Sequence, residues 1–124
     1  MILHLTKKLA DKLKMSPEPK PAGGGFLSWR ANYVQGYVQG YGKRFVVFMN
    51  DASHLTVIIN KAKAAKLKKL PKLFIRTLRE TMLAIGVNPK VKDRYIAELG
   101  EITYVKNSDR KKTAQLNKNT EAAW

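Results

Sequence analysis

The chain has 124 residues, which is enough for one domain with a single hydrophobic core. It contains 24 Lys and Arg residues against 9 Asp and Glu residues, giving a formal net charge of +15, and its hydrophobic fraction of 44% is ordinary for a folded protein. There is no cysteine, so disulfides, thiolate zinc sites and cysteine nucleophiles are excluded. A charge this far from neutrality favours polyanionic partners, although it also serves solubility.

The sequence shows no membrane or export signal. No apolar run approaches the ~20 residues of a membrane span. The apolar start, Met1 to Leu5, is too short for the core of a signal peptide and leads directly into lysines. We therefore expect a cytoplasmic protein that does not associate with membranes.

The first part of the chain predicts a strand, a helix and a loop. Ile2 to Leu5 is typical of a short strand, and Thr6 is a candidate N-cap for a helix from Lys7 to about Lys14. The segment 16–25 holds three prolines and three glycines and is predicted to be a loop. Its glycines lack the spacing and the following Lys-Ser/Thr of a phosphate-binding loop.

The middle of the chain predicts strands and hairpins. Phe26 to Val34 has the pattern of a strand, and the repeated VQGY that follows (34–37 and 38–41) is predicted to lengthen a hairpin loop. Two apolar runs, Phe45 to Met49 and Leu55 to Ile59, flank the polar segment 50–54 and predict a β-hairpin. Since the first run does not alternate with polar residues, we expect it to be a central strand covered on both faces.

The second half of the chain predicts helices and a last strand. Pro71 begins a helix whose apolar stripe, predicted to be core, consists of Phe74, Leu78, Met82 and Ile85. Asn88 and Pro89 begin a second helix that extends to Leu99, and its predicted inward residues are Val91, Tyr95, Ile96 and Leu99. Residues 101–107 predict a strand. A final helix, within 108–124, has few apolar positions and is expected to be loosely docked.

These elements predict one α+β domain over residues 1–124. The expected order is β-α-β-β-β-α-α-β-α, with an antiparallel sheet of about five strands and helices packed on one face. The oligomeric state does not follow from the sequence.

The densest cationic stretch runs from residue 61 to 72, where six of twelve residues are lysine and none is acidic. Such residues can neutralise backbone phosphates, which predicts non-enzymatic binding of DNA or RNA. An equally weighted interpretation is a solvated connector that keeps a sheet edge from pairing. The main candidate nucleic-acid-binding residues are Lys61, Lys63, Lys66, Lys68, Lys69, Lys72, Arg76 and Arg79. A second basic patch consists of Arg110, Lys111 and Lys112, which lie near the start of the predicted final helix.

Tyr37 and Tyr41 are candidates for stacking on bases, because they stand among basic residues near a hairpin tip. The alternative, which we favour, is that both tyrosines fold onto the sheet.

Four segments, MILHLTKKLADKLK, FLSWRANY, RFVVFMNDASHLTVII and LGEITYVKNSDRKKTAQLN, occur in this order along most of the chain. In them the chain resembles a family of small bacterial proteins of unknown function. The resemblance implies an N-terminal strand, a lysine-rich helix, a Trp-containing strand, a hairpin and a terminal strand and helix. It implies no activity and therefore no catalytic residue. The doubled VQGY and the heavier lysine content depart from the family pattern.

Catalysis is not the favoured hypothesis. His4 lies in a short apolar strand and is predicted to be structural, and His54 stands near Asp51 and Ser53 without the separation that known triads show. We predict no catalytic residue, no metal ligand and no cofactor. A small basic nuclease is the third hypothesis, with His54 as base and Lys43 or Arg44 as phosphate ligand.

The alternative function is a protein-binding module, such as a toxin–antitoxin or phage-defence component. It would engage an acidic protein partner through the same basic residues, or add a strand at a sheet edge. Nucleic-acid binding should fall steeply with salt, whereas partner binding should saturate at a fixed stoichiometry.

Overall fold

The computed structural model describes residues 1–17, 25–38, 41–60, 62–106, 114–116 and 118. These residues form one α+β domain around a five-stranded sheet with the strand order β4-β3-β2-β1-β5. The strands are β1 (Ile2–Leu5), β2 (Ser28–Val38), β3 (Tyr41–Asn50), β4 (Thr56–Ile59) and β5 (Thr103–Lys106). The helices are α1 (Lys7–Leu13), α2 (Ala64–Lys68), α3 (Leu70–Ala84) and α4 (Pro89–Leu99).

The hairpin of β3 and β4 is confirmed. The two strands are antiparallel, with Met49 paired to Thr56, and residues 51–55 connect them. Every residue from Phe45 to Asn50 is buried, so β3 is covered on both faces as its continuous apolar run predicts. The α+β class and the five strands are confirmed as well.

The sheet is mixed, which corrects the prediction of an antiparallel sheet. β1 runs parallel to both of its neighbours, β2 and β5, whereas β2–β3 and β3–β4 are antiparallel. For β1 and β2 the cause is connectivity: α1 and the segment that follows it separate the two strands in the chain, so β2 can begin beside the start of β1. Parallel neighbours need such a crossover connection, whereas hairpin-linked strands do not.

The described residues of the repeated VQGY, 34–38 and 41, lie in strands rather than in a longer hairpin loop. β2 extends to Val38, which pairs with Tyr41 at the start of β3, so only residues 39 and 40 separate the two strands. An insertion of four residues is twice the two-residue period of a strand and therefore preserves the alternation of the ladder. The duplication lengthens the β2–β3 ladder.

Helices α1, α3 and α4 pack on one face of the sheet, as predicted. Their buried side chains meet those of the strands in one cluster, at whose centre Phe74 of α3 contacts Trp29 and Phe48. The ring centroids are 5.0 Å and 4.5 Å apart, within the range of favourable aromatic pairs. The opposite face of β3 packs against Leu116, which is fully buried. Leu116 is helical, and most of the predicted final helix lies outside the described residues.

Helix boundaries follow the predicted caps. Thr6 accepts a hydrogen bond from the backbone amide of Leu9 at 3.4 Å, and Asn88 accepts one from Lys90 at 2.9 Å. Pro71 lies in the first turn of α3.

Two residues that were predicted to be core are exposed, so these two predictions are wrong: Ile85 is 60% exposed and Val91 is 58% exposed. Ile85 follows the last residue of α3 and Val91 lies in the first turn of α4, so neither faces the sheet.

A hydrogen-bond network joins α4 to the central strands. The hydroxyl of Tyr95 accepts from Trp29 Nε1 at 2.8 Å and from Asn50 Nδ2 at 3.3 Å, and it donates to the carbonyl of Phe26. Burial raises the pKa of Tyr95, although the hydrogen bonds from Trp29 and Asn50 act in the opposite direction. The phenol therefore stays protonated and can serve as both donor and acceptor.

Substitution of Tyr95 by phenylalanine is expected to lower the free energy of unfolding by about 1–3 kcal/mol, because the buried indole N–H of Trp29 loses its acceptor. Tyr104→Phe is the matched control, since this tyrosine is also half-buried and its pKa is also raised by burial. It should change the free energy by about 0.5 kcal/mol or less. Urea denaturation measures both, and equal losses would show that the network contributes little.

Candidate functional site

The basic residues of α2 and α3 are held on the solvent side by the amphipathic pattern of α3. Leu70, Phe74, Leu78 and Met82 are buried at intervals of four residues. Lys72, Arg76 and Arg79 stand at i, i+4 and i+7, which places them on one exposed face of the helix. Three of the candidate nucleic-acid-binding residues therefore lie in one row along the exposed face of α3.

The lysines before α3 extend this row. Lys63, Lys68 and Lys69 are exposed, and Lys66 donates to the backbone carbonyl of Asn60 at 2.9 Å. Neither α2 nor α3 has an acidic residue in its first turn or a side-chain N-cap. Because the N-terminus of a helix carries positive partial charge, lysines at the start of α3 add to that potential instead of cancelling it.

A groove of about 700 Å³ lies beside α3, and we call it the basic groove. It is lined by Met1, Pro71, Lys72, Ile75, Arg76, Arg79, Gly100, Glu101, Ile102 and Tyr104. The cations come from α3, and the apolar side chains come from α3, from Met1, and from Ile102 and Tyr104 at the start of β5. Ile102 and Tyr104 line the groove together with residues of α3, and the pairing of β5 with β1 holds them there.

Two arginines of the basic groove are already paired, but weakly. Arg76 lies 3.5 Å from Glu80 and Arg79 lies 3.3 Å from Asp93, and all four side chains are largely exposed. Exposed pairs of this kind contribute about 0–1 kcal/mol, so an arriving phosphate can replace the carboxylate at little cost. Lys72 forms no ion pair with a carboxylate in the described part of the chain.

Tyr104 is the residue of this groove that the sequence did not single out. Burial raises its pKa, so it presents a neutral ring rather than a tyrosinate to an anionic ligand. The sequence placed Tyr104 in the last predicted strand, residues 101–107. Its position beside Lys72 and Arg76, however, depends on the β1–β5 pairing. No local pattern encodes that pairing.

The predicted stacking tyrosines lie far from the groove. Tyr37 is nine strand positions beyond Ser28, which pairs with Ile2, and nine positions span roughly 30 Å. Tyr41 lies at the same hairpin end, where it pairs with Val38. Their side chains are outside the described residues, as are Lys61 and the second patch, Arg110, Lys111 and Lys112.

The residues of the nuclease hypothesis are also separated. Arg44 lies near the start of β3 and His54 follows its end, roughly 20 Å away along the strand. No group of three or more metal-ligating side chains occurs within the described ranges. His4 is buried against the carbonyl of Trp29, at 3.1 Å, and lies 3.8 Å from Asp51 in a buried polar cluster.

None of the helices among the described residues is long and apolar enough to cross a membrane.

Comparisons with known proteins give a family and no function. Searches against curated proteins and against solved structures found no match. A family model described as a domain of unknown function, DUF6933, matches residues 2–124, which is nearly the whole chain. The chain therefore belongs to the DUF6933 family.

Proposed function

We propose that this protein binds nucleic acid without enzymatic action, mainly through phosphate contacts on the surface of α2 and α3. The carrying observation is the acid-free segment from Lys63 to Arg79, in which seven cationic residues occur, most of them exposed. These residues are Lys63, Lys66, Lys68, Lys69, Lys72, Arg76 and Arg79. Phosphate contacts of this kind fix position and supply affinity without reading sequence.

Neighbouring elements enlarge the positive surface. α1 packs beside α2 and carries four exposed lysines, Lys7, Lys8, Lys12 and Lys14. The ammonium of Lys12 also lies 5.2 Å from the ring centre of Tyr33, which holds part of this side chain against the domain. A surface this wide suits a polymer of phosphates better than a single phosphate group.

The basic groove adds a place for one base. Its cations can contact the backbone on either side, while the neutral ring of Tyr104 offers a stacking surface. Because an aromatic side chain can stack on any of the four bases, this contact predicts binding to single strands without strong sequence preference.

The test is an anisotropy titration of labelled duplex DNA and single-stranded RNA at about 50 mM and about 200 mM salt. We expect micromolar or tighter binding at the lower salt and at least a tenfold loss at the higher one, since each released counterion adds to the salt dependence. Absence of binding to both nucleic acids at the lower salt would refute the proposal.

The alternative function is the binding of an acidic protein, and one observation favours it. Among the described strands β5 has β1 as its only neighbour, and Ile102 and Tyr104 beside it line the basic groove. An acidic extended segment could pair with β5 while its carboxylates contact Lys72 and Arg76. Saturable binding of one acidic protein at one partner per chain, without binding of either nucleic acid at the lower salt, would favour this function over the first.

A further inference from the structure

A second cavity, of about 450 Å³, is lined by a different set of α3 residues, and we call it the neutral pocket. Four segments enclose it: the C-terminal half of α3 with the connection to α4, the first two turns of α4, the chain entering β2, and the chain around the end of β3. Its described lining residues are Phe26, Trp29, Asn50, Ser53, His54, Leu55, Leu78, Met82, Ile85, Val87, Val91 and Tyr95. This volume lies within the range of small-molecule sites.

The neutral pocket differs chemically from the rest of the surface. None of its described lining residues is Lys, Arg, Asp or Glu, although the chain carries a net charge of +15. The basic groove on α3 includes Lys72, Arg76, Arg79 and Glu101. A charged ligand would lose its hydration in the neutral pocket without gaining an opposite charge.

The polar groups within the pocket satisfy one another. Asn50 Nδ2 donates to the carbonyl of Phe26 at 2.8 Å and to Tyr95, and Asn50 Oδ1 accepts from the backbone amides of Ala52 and Ser53 at 3.0 Å. The indole N–H of Trp29 is bonded to Tyr95. These groups can therefore support apolar contacts with a ligand without leaving a buried donor unpaired.

Three of the large exposed apolar side chains of the described residues line this pocket: Phe26 at 66%, Ile85 at 60% and Val91 at 58% exposure. Ile85 and Val91 are the two residues that sequence periodicity wrongly predicted to be core. Apolar side chains around a concave opening mark binding sites rather than ordinary surface. Their burial by a ligand would contribute about 25 cal/mol per Å² of apolar area.

We propose that the neutral pocket binds an uncharged small molecule that carries an aromatic ring. The rings of Phe26, Trp29 and Tyr95 and the polarizable thioether of Met82 line it, and such groups pack favourably against an aromatic ring. The proposal is independent of nucleic-acid binding, since the pocket and the basic groove share no lining residue.

The probe for this proposal is N-phenyl-1-naphthylamine, an uncharged aromatic dye whose emission rises in apolar sites. We expect saturable binding of one dye per chain. The anionic analogue 8-anilino-1-naphthalenesulfonate tests whether general positive charge suffices, and it should not displace the neutral dye at equal concentration. Preferential binding of the sulfonate, or no saturable signal from the neutral dye, would overturn the proposal.

Ile85→Lys should weaken dye binding at least tenfold, because it places an ammonium at the mouth of an uncharged site. Leu83→Lys is the matched control: Leu83 is 65% exposed, lies two residues away and does not line the pocket. Both substituted positions are exposed, so both variants should retain the wild-type circular dichroism spectrum and nucleic-acid affinity. Equal loss of dye binding in the two variants would contradict the assigned site.

A second copy of this chain is the competing occupant. A concentration-dependent dimer in sedimentation velocity that Ile85→Lys dissociates, together with no dye binding, would overturn the small-molecule proposal in favour of self-association. A monomer that binds the neutral dye would support it.

Discussion

Asp51→Ala is expected to lower the free energy of unfolding by about 3–5 kcal/mol, because it leaves a buried guanidinium without its carboxylate. Asp51 Oδ1 lies 2.8 Å from Nε of Arg30, and Asp51 Oδ2 accepts a hydrogen bond from Ser28 at 2.5 Å. The side chains of Asp51 and Arg30 are 0% and 5% exposed. At this depth water cannot replace the lost partner.

Urea denaturation of a double-mutant cycle separates the pair from its surroundings. Arg30→Met alone should also destabilise strongly, whereas the double variant Asp51→Ala/Arg30→Met should lose less than the sum of the two. Asp93→Ala is the matched control, since its pair with Arg79 is exposed and should contribute about 0–1 kcal/mol. A loss below about 1 kcal/mol in Asp51→Ala, or additivity in the cycle, would contradict this account.

The loop after β3 is held against β2 by a buried polar cluster, which consists of Asp51, Arg30, Ser28 and His4. Asp51 binds two side chains of β2, and its backbone amide donates to the carbonyl of Ser28 at 2.9 Å. The same loop contributes Ser53 and His54 to the neutral pocket. The sequence placed Asp51 near His54 and Ser53 without indicating a role for it, and the structure shows that Asp51 anchors the loop.

Local patterns predicted the local elements well. The pattern of Phe26 to Val34 indicated a strand, and the apolar run in β3 indicated two covered faces. The sequence could not show that Arg30 is buried beside Asp51, because its partner is 21 positions away on another segment. Such pairing depends on the β2–β3 register, which only the folded chain defines.

The limits on predicting the site have the same physical origin. The sequence identified Lys72, Arg76 and Arg79 as candidate binding residues, but part of the apolar wall beside them comes from Ile102 and Tyr104, at the start of β5. The parallel β1–β5 pairing joins segments about a hundred residues apart. Periodicity also assigned Ile85 and Val91 to the core, since apolar spacing does not distinguish a packed position from the mouth of a pocket.

Lys68→Gln/Lys69→Gln/Lys72→Gln is expected to weaken nucleic-acid binding by about 10- to 500-fold at 0.1 M salt, because up to three phosphate contacts are lost. The slope of log K against log salt should become shallower by up to about 3. All three side chains are exposed, so the free energy of unfolding should change little. Lys66 is left in place because it donates to the carbonyl of Asn60 and supports the connector.

The matched control is Lys90→Gln/Lys92→Gln/Arg94→Gln, which removes three positive charges from α4 and likewise changes the net charge from +15 to +12. If binding depends on the arrangement of cations on α2 and α3, the control should keep most of the affinity and of the salt slope. If binding depends only on total charge, the two variants should lose the same amount. A larger loss in the control would place the contact on α4 instead. The comparison therefore tests the location of the interface as well as its existence, since two chains of equal net charge differ only in where the charge was removed.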